Sequence, residues 1–191
     1  MIESSRPIAR PPLRTRRIDM RLAERSDARF VYELMLQQGN LTMRSFEEFE
    51  ERFNSKALVG FIASTVRSGE PIGYTNVYDA DLALGHAYVG AAVLPDRIGS
   101  GMGMEALGLT IDYAFSMWRF RKLYAGTTEA SIGHFGSSLG DLLHEEGRLR
   151  DHLFFGGELW DLIILALYRS EWTAWRTEHQ RLFDVVIGDR R

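Results

Sequence analysis

The stretch Val89-Gly-Ala-Ala-Val-Leu-Pro95, continued by Asp96-Arg-Ile-Gly-Ser-Gly-Met-Gly-Met-Glu105, decides how this chain folds. It predicts a buried strand, a turn with glycines at alternate positions, and then a helix. The helix is indicated by residues at helical spacing, namely Ala106, Thr110, Tyr113 and Met117. Glycines let backbone N–H groups approach a ligand closely, and a helix begins with unpaired N–H groups and a positive dipole end. The stretch therefore predicts a site for phosphate or pyrophosphate.

Two common nucleotide-binding motifs do not fit this stretch. A P-loop requires Lys and then Ser or Thr after its last glycine, where this chain has Met104-Glu105. A dinucleotide-binding fingerprint requires G-x-G-x-x-G in a parallel βαβ unit, whereas the glycines here alternate and the preceding strands are predicted to be antiparallel. The alternative to a phosphate site is a flexible surface turn ahead of a helix.

The order strand, proline, glycine-rich turn and helix resembles the acyl-coenzyme A pyrophosphate motif, R-G-x-G-x-G, of the GNAT superfamily of N-acyltransferases. A second similarity lies in Glu146-Gly-Arg-Leu-Arg150, Gly157-Glu-Leu-Trp-Asp161 and Leu167-Tyr-Arg-Ser-Glu-Trp172. These segments look like the end of the branch that acetylates ribosomal proteins, the ribosomal-protein-alanine N-acetyltransferases. The resemblance covers roughly residues 18–172.

The composition restricts the class of protein. The chain has 191 residues and a net charge of −3, which suits a single domain without a strong attraction for nucleic acid. It has no cysteine, so disulfides, zinc thiolates and a thiol nucleophile are excluded. We expect a cytoplasmic protein without a membrane segment, since no apolar run is long enough to span a bilayer and no signal peptide is visible. Its five histidines show no ligand spacing, so we predict no metal.

Residues 1–17 differ from the rest of the chain. They alternate arginines with prolines, which predicts an extended or flexible basic arm ahead of a single domain over residues 18–191. The arm is either a solvated tail or a segment that contacts the phosphates of a nucleic acid or of coenzyme A.

The hydrophobic pattern predicts an α/β fold with a mixed, mostly antiparallel sheet of six to seven strands flanked by helices. Short turns between the early strands favour an antiparallel meander, and the strand after the long helix must pair in parallel. Predicted strands cover residues 18–23, 58–66, 72–78, 86–94, 123–127, 148–155 and 159–168. One predicted helix is capped by Ser26-Asp27 and runs to about Gln38, and a second is capped by Ser45. The other predicted helices cover residues 101–118, 130–143 and 170–183.

The resemblance implies a splay between the fourth and fifth strands that holds the pantetheine arm, and an oxyanion held by a backbone N–H of Ala92, Val93 or Leu94. The donor site that it implies consists of Val93, Leu94, Arg97, Ile98, Gly99, Ser100, Gly101, Met102, Gly103, Met104 and Thr128. The chain departs from the family at Ile98, where Arg or Gln is usual, with Arg97 as its substitute. It also has Thr128 in place of Asn, and Phe135 in place of the tyrosine that often serves as general acid.

Four residues are the candidates for proton transfer. His134 adjoins the position of the missing tyrosine, and an imidazole titrates near neutral pH. Ser131 follows Thr128 and is placed to hydrogen-bond the thiol or the pantetheine. His86 and Tyr88 begin the fourth strand and point to one face of it.

Three functions follow from these residues. The first is an N-acyltransferase that moves an acetyl group from acetyl-CoA, or another acyl group from its acyl-CoA, to a primary amine such as a protein N-terminus, an amino sugar or a small metabolite. The second keeps the fold but takes an aminoacyl group from a tRNA bound by the basic arm. The third is a non-catalytic binding module. We expect a monomer or a homodimer.

Overall fold

The computed structural model describes residues 13–38, 44–132 and 142–179. Seven strands form one sheet: β1 (Ile18–Leu22), β2 (Ala57–Thr65), β3 (Pro71–Asp81), β4 (His86–Val93), β5 (Lys122–Thr127), β6 (His144–Phe155) and β7 (Glu158–Tyr168). Their order in the sheet is β1-β2-β3-β4-β5-β7-β6. All neighbouring strands are antiparallel except β4 and β5, which are parallel. This confirms the predicted mixed, mostly antiparallel sheet.

The helices of the described ranges are α1 (Ala28–Gln37), α2 (Phe46–Arg52), α3 (Met102–Met117), α4 (Glu129–Ile132) and α5 (Arg169–Glu178). α1 begins directly after the predicted cap, with Asp27 as its N-cap, and Arg25–Asp27 form a 3₁₀ turn ahead of it. The Asp27 carboxylate accepts the Glu24 N–H and two hydrogen bonds from Arg21. Those bonds from Arg21 hold the pKa of Asp27 below its usual value. α2 begins as predicted, with the Ser45 hydroxyl accepting the Glu48 N–H.

Two apolar layers cover the two faces of the sheet. α3 packs on one face, where alternate residues such as Val77, Val89 and Leu123 are buried, and Trp172 of α5 joins this layer. On the other face α1 packs over β3 and β4, where Leu34 belongs to a smaller cluster with Tyr74 and Ala92. The sheet therefore separates two apolar cores, one on each of its faces.

β4 and β5 separate along their length. Their register runs from His86 opposite Lys122 to Tyr88 opposite Tyr124. Within the described residues no pair joins the two strands beyond that point, although β4 continues to Val93 and β5 continues for three more residues. A gap therefore opens between the strands toward the start of α3, as the resemblance implied.

At three predicted boundaries the structure differs from the prediction or does not describe the whole segment. Residues 13–17 belong to the folded domain rather than to an arm, because Thr15 is buried and Leu13 O accepts the Met20 N–H. Residues 1–12 lie outside the described residues. Of the predicted helix over residues 130–143, the structure describes α4, and residues 133–141 lie outside it. α5 ends at Glu178, and the predicted part of this helix from residue 180 to 183 is likewise outside.

Candidate active site

The glycine-rich loop has a backbone that favours glycine at two positions. Gly99 has φ of 79° and Gly101, the residue before α3, has φ of 78°. Both lie in the left-handed region, which residues with a Cβ rarely adopt. Gly103 serves a different need, since a Cβ on it would lie 2.7 Å from Val93 Cγ2. The first turn of α3 therefore packs directly on the end of β4, beside the gap.

The loop presents unpaired backbone donors at the start of α3. The Ser100 N–H donates to Arg97 O, and the Met102 N–H makes a long contact of 3.3 Å with Ser100 Oγ. In the described part of the chain, the remaining N–H groups of this segment have no acceptor: those of Gly99, Gly101, Gly103 and Met104. Converging N–H groups at a helix N-terminus form an anion site. The geometry thus fits the phosphate role predicted for residues 99–104.

The two residues before the glycines differ in charge. Ile98 is half exposed and carries no charge. The Arg97 guanidinium lies 3.2 Å from Asp96 Oδ2 and 3.7 Å from Glu70 Oε2, and Arg97 Nε is buried without a hydrogen-bond partner in the described ranges. Arg97 as the substitute for the missing arginine of the motif stays a prediction.

The backbone of β4 offers Val93, and not Leu94, to the gap. The Leu94 N–H donates to Ile72 O of the segment leading into β3, at 2.9 Å. Backbone groups of an antiparallel strand alternate in direction, so Ala92 also faces β3, whereas Val93 faces away from it. Consistent with this, Val93 O accepts a hydrogen bond from Gln38 Nε2 at 3.1 Å. Of the three predicted candidates, Ala92, Val93 and Leu94, Val93 is therefore the one whose N–H faces the gap, because the antiparallel ladder directs the other two N–H groups toward β3.

Thr128 brings a buried hydroxyl to the open end of β5. Its side chain is 7% exposed, and Thr128 Oγ1 has no hydrogen-bond partner among the described residues. A buried hydroxyl without a partner is unfavourable, which suggests that a ligand completes it. The Thr128 carbonyl accepts the N–H of Ser131, which is half buried in α4. His134 lies outside the described residues.

His86 and Tyr88 lie at the closed end of the gap. Tyr88 is flanked by Tyr78 and Tyr124, with ring centroids 5.6 and 5.3 Å away. His86 contacts Tyr124 edge-on, and His86 Nδ1 is buried without a hydrogen-bond partner in the described ranges. Because His86 pairs with the first residue of β5 and Ser131 follows its last, the predicted proton-transfer residues lie at opposite ends of that strand.

The chain matches the acetyltransferase (GNAT) family over residues 27–135, which is more than half of its length. It belongs to this family. Mutant forms of the spermidine/spermine N-acetyltransferase SpeG from Vibrio cholerae have a similar structure, with a TM-score of 0.72, 21% sequence identity, and coverage of 82% of this chain and 96% of that chain. The same enzyme in complex with manganese ions has a TM-score of 0.69 and 22% sequence identity, and the match covers 83% of this chain and 96% of that chain. No curated protein matches the chain.

These comparisons establish that the chain has the GNAT fold and is an acetyltransferase. At this level of identity the similarity to SpeG concerns the fold alone. The resemblance of the C-terminal segments to the ribosomal-protein-alanine branch stays a prediction. In the described ranges of this GNAT acetyltransferase, no cluster of three or more His, Cys, Asp or Glu side chains could hold a metal. No helix there is long and apolar enough to cross a membrane.

The sequence did not predict a polar network beside the tyrosines of this acetyltransferase. Glu146 Oε2 accepts hydrogen bonds from Lys122 Nζ at 2.5 Å and from the Tyr124 hydroxyl at 3.1 Å, and the Tyr168 hydroxyl donates to Oε1. The hydrogen bonds from Lys122 and Tyr168 hold the pKa of Glu146 below its usual value. A carboxylate with both oxygens occupied and a lowered pKa is a poor proton acceptor. Glu146 therefore orders the end of the gap and is not a candidate base.

Proposed function

We propose that this GNAT protein is an N-acetyltransferase that moves an acetyl group from acetyl-CoA, or another acyl group from its acyl-CoA, to a primary amine. The observation that carries this proposal is the set of four unpaired N–H groups at the start of α3. They lie where the gap between β4 and β5 opens, so one end of an extended ligand meets an anion site while the rest enters the sheet. Coenzyme A has this form, with phosphates at one end and a thiol at the other.

The residues of the gap suit the remainder of the donor. The Val93 N–H faces away from β3, and the Val93 carbonyl is the acceptor of the Gln38 amide. An extended amide chain placed there would hydrogen-bond β4 as an added strand does. Thr128 Oγ1 supplies one more hydrogen bond from the β5 side. When bound, acetyl-CoA supplies an acetyl thioester that a neutral amine can attack.

The acceptor amine belongs on the face of the sheet that carries His86, Tyr88 and Tyr124. Aromatic rings favour a cationic amine before it reacts, and the amine must then lose a proton. His86 is the candidate base at this end of the gap, since Lys122 opposite it is paired with Glu146, and the phenol of Tyr88 can relay a proton. A primary amine is present in aliphatic polyamines, amino sugars and protein N-termini. The similarity to the spermidine/spermine N-acetyltransferase SpeG supports a polyamine among these three.

The direct test is acetyl transfer by the full chain. We expect release of free CoA and a mass increase of one acetyl group on at least one amine from a panel of spermidine, glucosamine and a peptide with a free N-terminus. Reactions without amine, and with aminoacyl-tRNA in place of acetyl-CoA, are the controls. Transfer from tRNA alone would replace the donor in this proposal. Absence of acetyl-CoA binding in native mass spectrometry would overturn it.

Thr128→Val separates a ligand role from a structural one. Valine has nearly the same shape but no hydroxyl, so it removes a buried unpaired group that costs about 1–3 kcal/mol. We expect the melting temperature of the free protein to stay equal or rise, while the KM for acetyl-CoA increases several-fold. Calorimetry and steady-state kinetics measure the two effects. A fall in stability, or an unchanged KM, would contradict a donor contact at Thr128.

A further inference from the structure

We propose that Arg17, from the segment before β1, is the cation of the donor site and binds a phosphate of the donor at the glycine-rich loop. This inference rests on the proposed function and identifies one residue of the site. The family motif carries this charge inside the loop, where the present chain has Ile98. Arg17 is far from that motif in sequence, and only the fold brings it there.

The Arg17 guanidinium lies directly on the loop. Its Nη1 donates to Ser100 O at 2.9 Å, and its Nη2 lies 3.1 Å from the position that a Cβ would take on Gly101. Glycine at residue 101 therefore leaves room for the guanidinium as well as for the backbone conformation. The charge therefore lies beside Gly101, whose N–H is unpaired in the described part of the chain.

Glu105 and Thr15 hold Arg17 in this place. Arg17 Nε donates to Glu105 Oε1 at 2.7 Å, and Nη2 lies 2.6 Å from the same oxygen. The other oxygen of Glu105 accepts the Thr15 hydroxyl at 2.8 Å. Thr15 is 4% exposed and Glu105 is in the first turn of α3, so the clamp joins the N-terminal segment to the helix that begins at the loop.

The clamp leaves part of the guanidinium available. Arginine has five N–H donors, and the contacts with Glu105 and Ser100 use three of them. One N–H on each terminal nitrogen remains, and the side chain is 48% exposed. Each of these N–H groups can donate to a phosphate oxygen.

Arg17→Ala is the first test variant, and Arg14→Ala is its matched control. Arg14 precedes β1 in the same segment, is similarly exposed, and contacts Asp19 instead of the loop. For Arg17→Ala we expect the Kd for CoA to rise roughly 10- to 150-fold, the range for losing one hydrogen bond to a charged group. With acetyl-pantetheine, which has no phosphate, kcat/KM should change less than threefold. Arg14→Ala should match the wild type with both donors.

Ile98→Arg provides a rescue that a purely structural clamp would not show. Added to Arg17→Ala, it returns a cation to the loop and should recover most of the lost CoA affinity. Added to the wild type, it should tighten CoA binding less than threefold. If Arg17→Ala does not fold, as judged by its melting curve, Arg17→Gln replaces it, because the amide keeps a hydrogen bond to Glu105 without the charge.

The outcomes distinguish this inference from the proposed function. If the wild-type chain binds no CoA, the proposed function fails. If the wild type binds CoA and neither Arg17 variant weakens it, the inference alone fails. Equal losses with acetyl-CoA and acetyl-pantetheine, or no rescue by Ile98→Arg, would assign Arg17 to shaping the loop and overturn its role as a phosphate ligand.

Discussion

Gly101→Asp is expected to lower the affinity for acetyl-CoA by about 10- to 150-fold, the equivalent of losing one hydrogen bond to a charged group. A Cβ on residue 101 would lie 3.1 Å from Arg17 Nη2, so the new carboxylate would stand close to the Arg17 guanidinium and to the unpaired N–H groups of the loop. It would occupy the position of a phosphate and repel the donor. Isothermal titration with CoA measures the loss, and kcat/KM for acetyl-CoA should fall in parallel.

Gly69→Asp controls for the backbone strain of this substitution. Gly69 has φ of 72°, close to the 78° of Gly101, and a Cβ on it would contact nothing within 4 Å. It lies in the turn between β2 and β3, so it should reproduce the strain without changing CoA binding. If Gly101→Asp and Gly69→Asp bind CoA equally well, the glycine-rich loop is not the phosphate site.

Local sequence predicted the part of the site that depends on local structure. The alternating glycines, Pro95 and the apolar residues of α3 are close in sequence, and their conformations are determined by steric limits and helical periodicity. The same reasoning predicted the parallel pairing of β5, because a helical connection precedes it. The strand, loop and helix therefore lie within one or two residues of the predicted boundaries.

The sequence could not predict which residues of β4 direct their backbone N–H groups toward β3 and which direct them toward the gap. Side-chain alternation shows which residues share a face, but Val93 and Leu94 are equally compatible with it. The direction of each N–H depends on which residues of β4 form hydrogen-bonded pairs with β3 and the segment before it. The hydrogen bond from the Leu94 N–H to Ile72 O determines this pattern. A shift of one residue would exchange the roles of Val93 and Leu94 at the gap.

Side-chain pairs between distant segments were also beyond the sequence. Arg17 and Glu105 are 88 residues apart, and Lys122 and Glu146 are 24 apart. No periodicity relates such positions, so they appear only when the fold brings the segments together. The sequence alone therefore places Arg17 in a flexible arm and indicates no partner for Glu146.

Arg169→Met is expected to lower the stability of the domain by about 2–5 kcal/mol, because it removes hydrogen bonds from three carbonyls in one step. The guanidinium at the start of α5 donates to Phe115 O at 2.6 Å, and to Trp118 O and Phe120 O at 2.5 Å each. It also lies 4.9 Å from the centre of the Phe115 ring. Burial lowers the pKa of Arg169, yet the side chain stays charged because that pKa begins far above neutral.

These contacts join the end of α3 to the junction of β7 and α5, so Arg169 acts on the helix that carries the donor loop at its other end. A cation at the C-terminus of a helix also complements its dipole.

Thermal melts should show a fall in melting temperature of roughly 4–20 °C for Arg169→Met, using about 2–4 °C per kcal/mol for a domain of this size. Arg150→Met, at an exposed position of β6, should leave the melting temperature within a degree or two. Arg169→Lys should fall between them, since one ammonium cannot reach three diverging carbonyls as a planar guanidinium does. Equal melting temperatures for the Arg169 and Arg150 variants would mean that the helix is held by its apolar face alone.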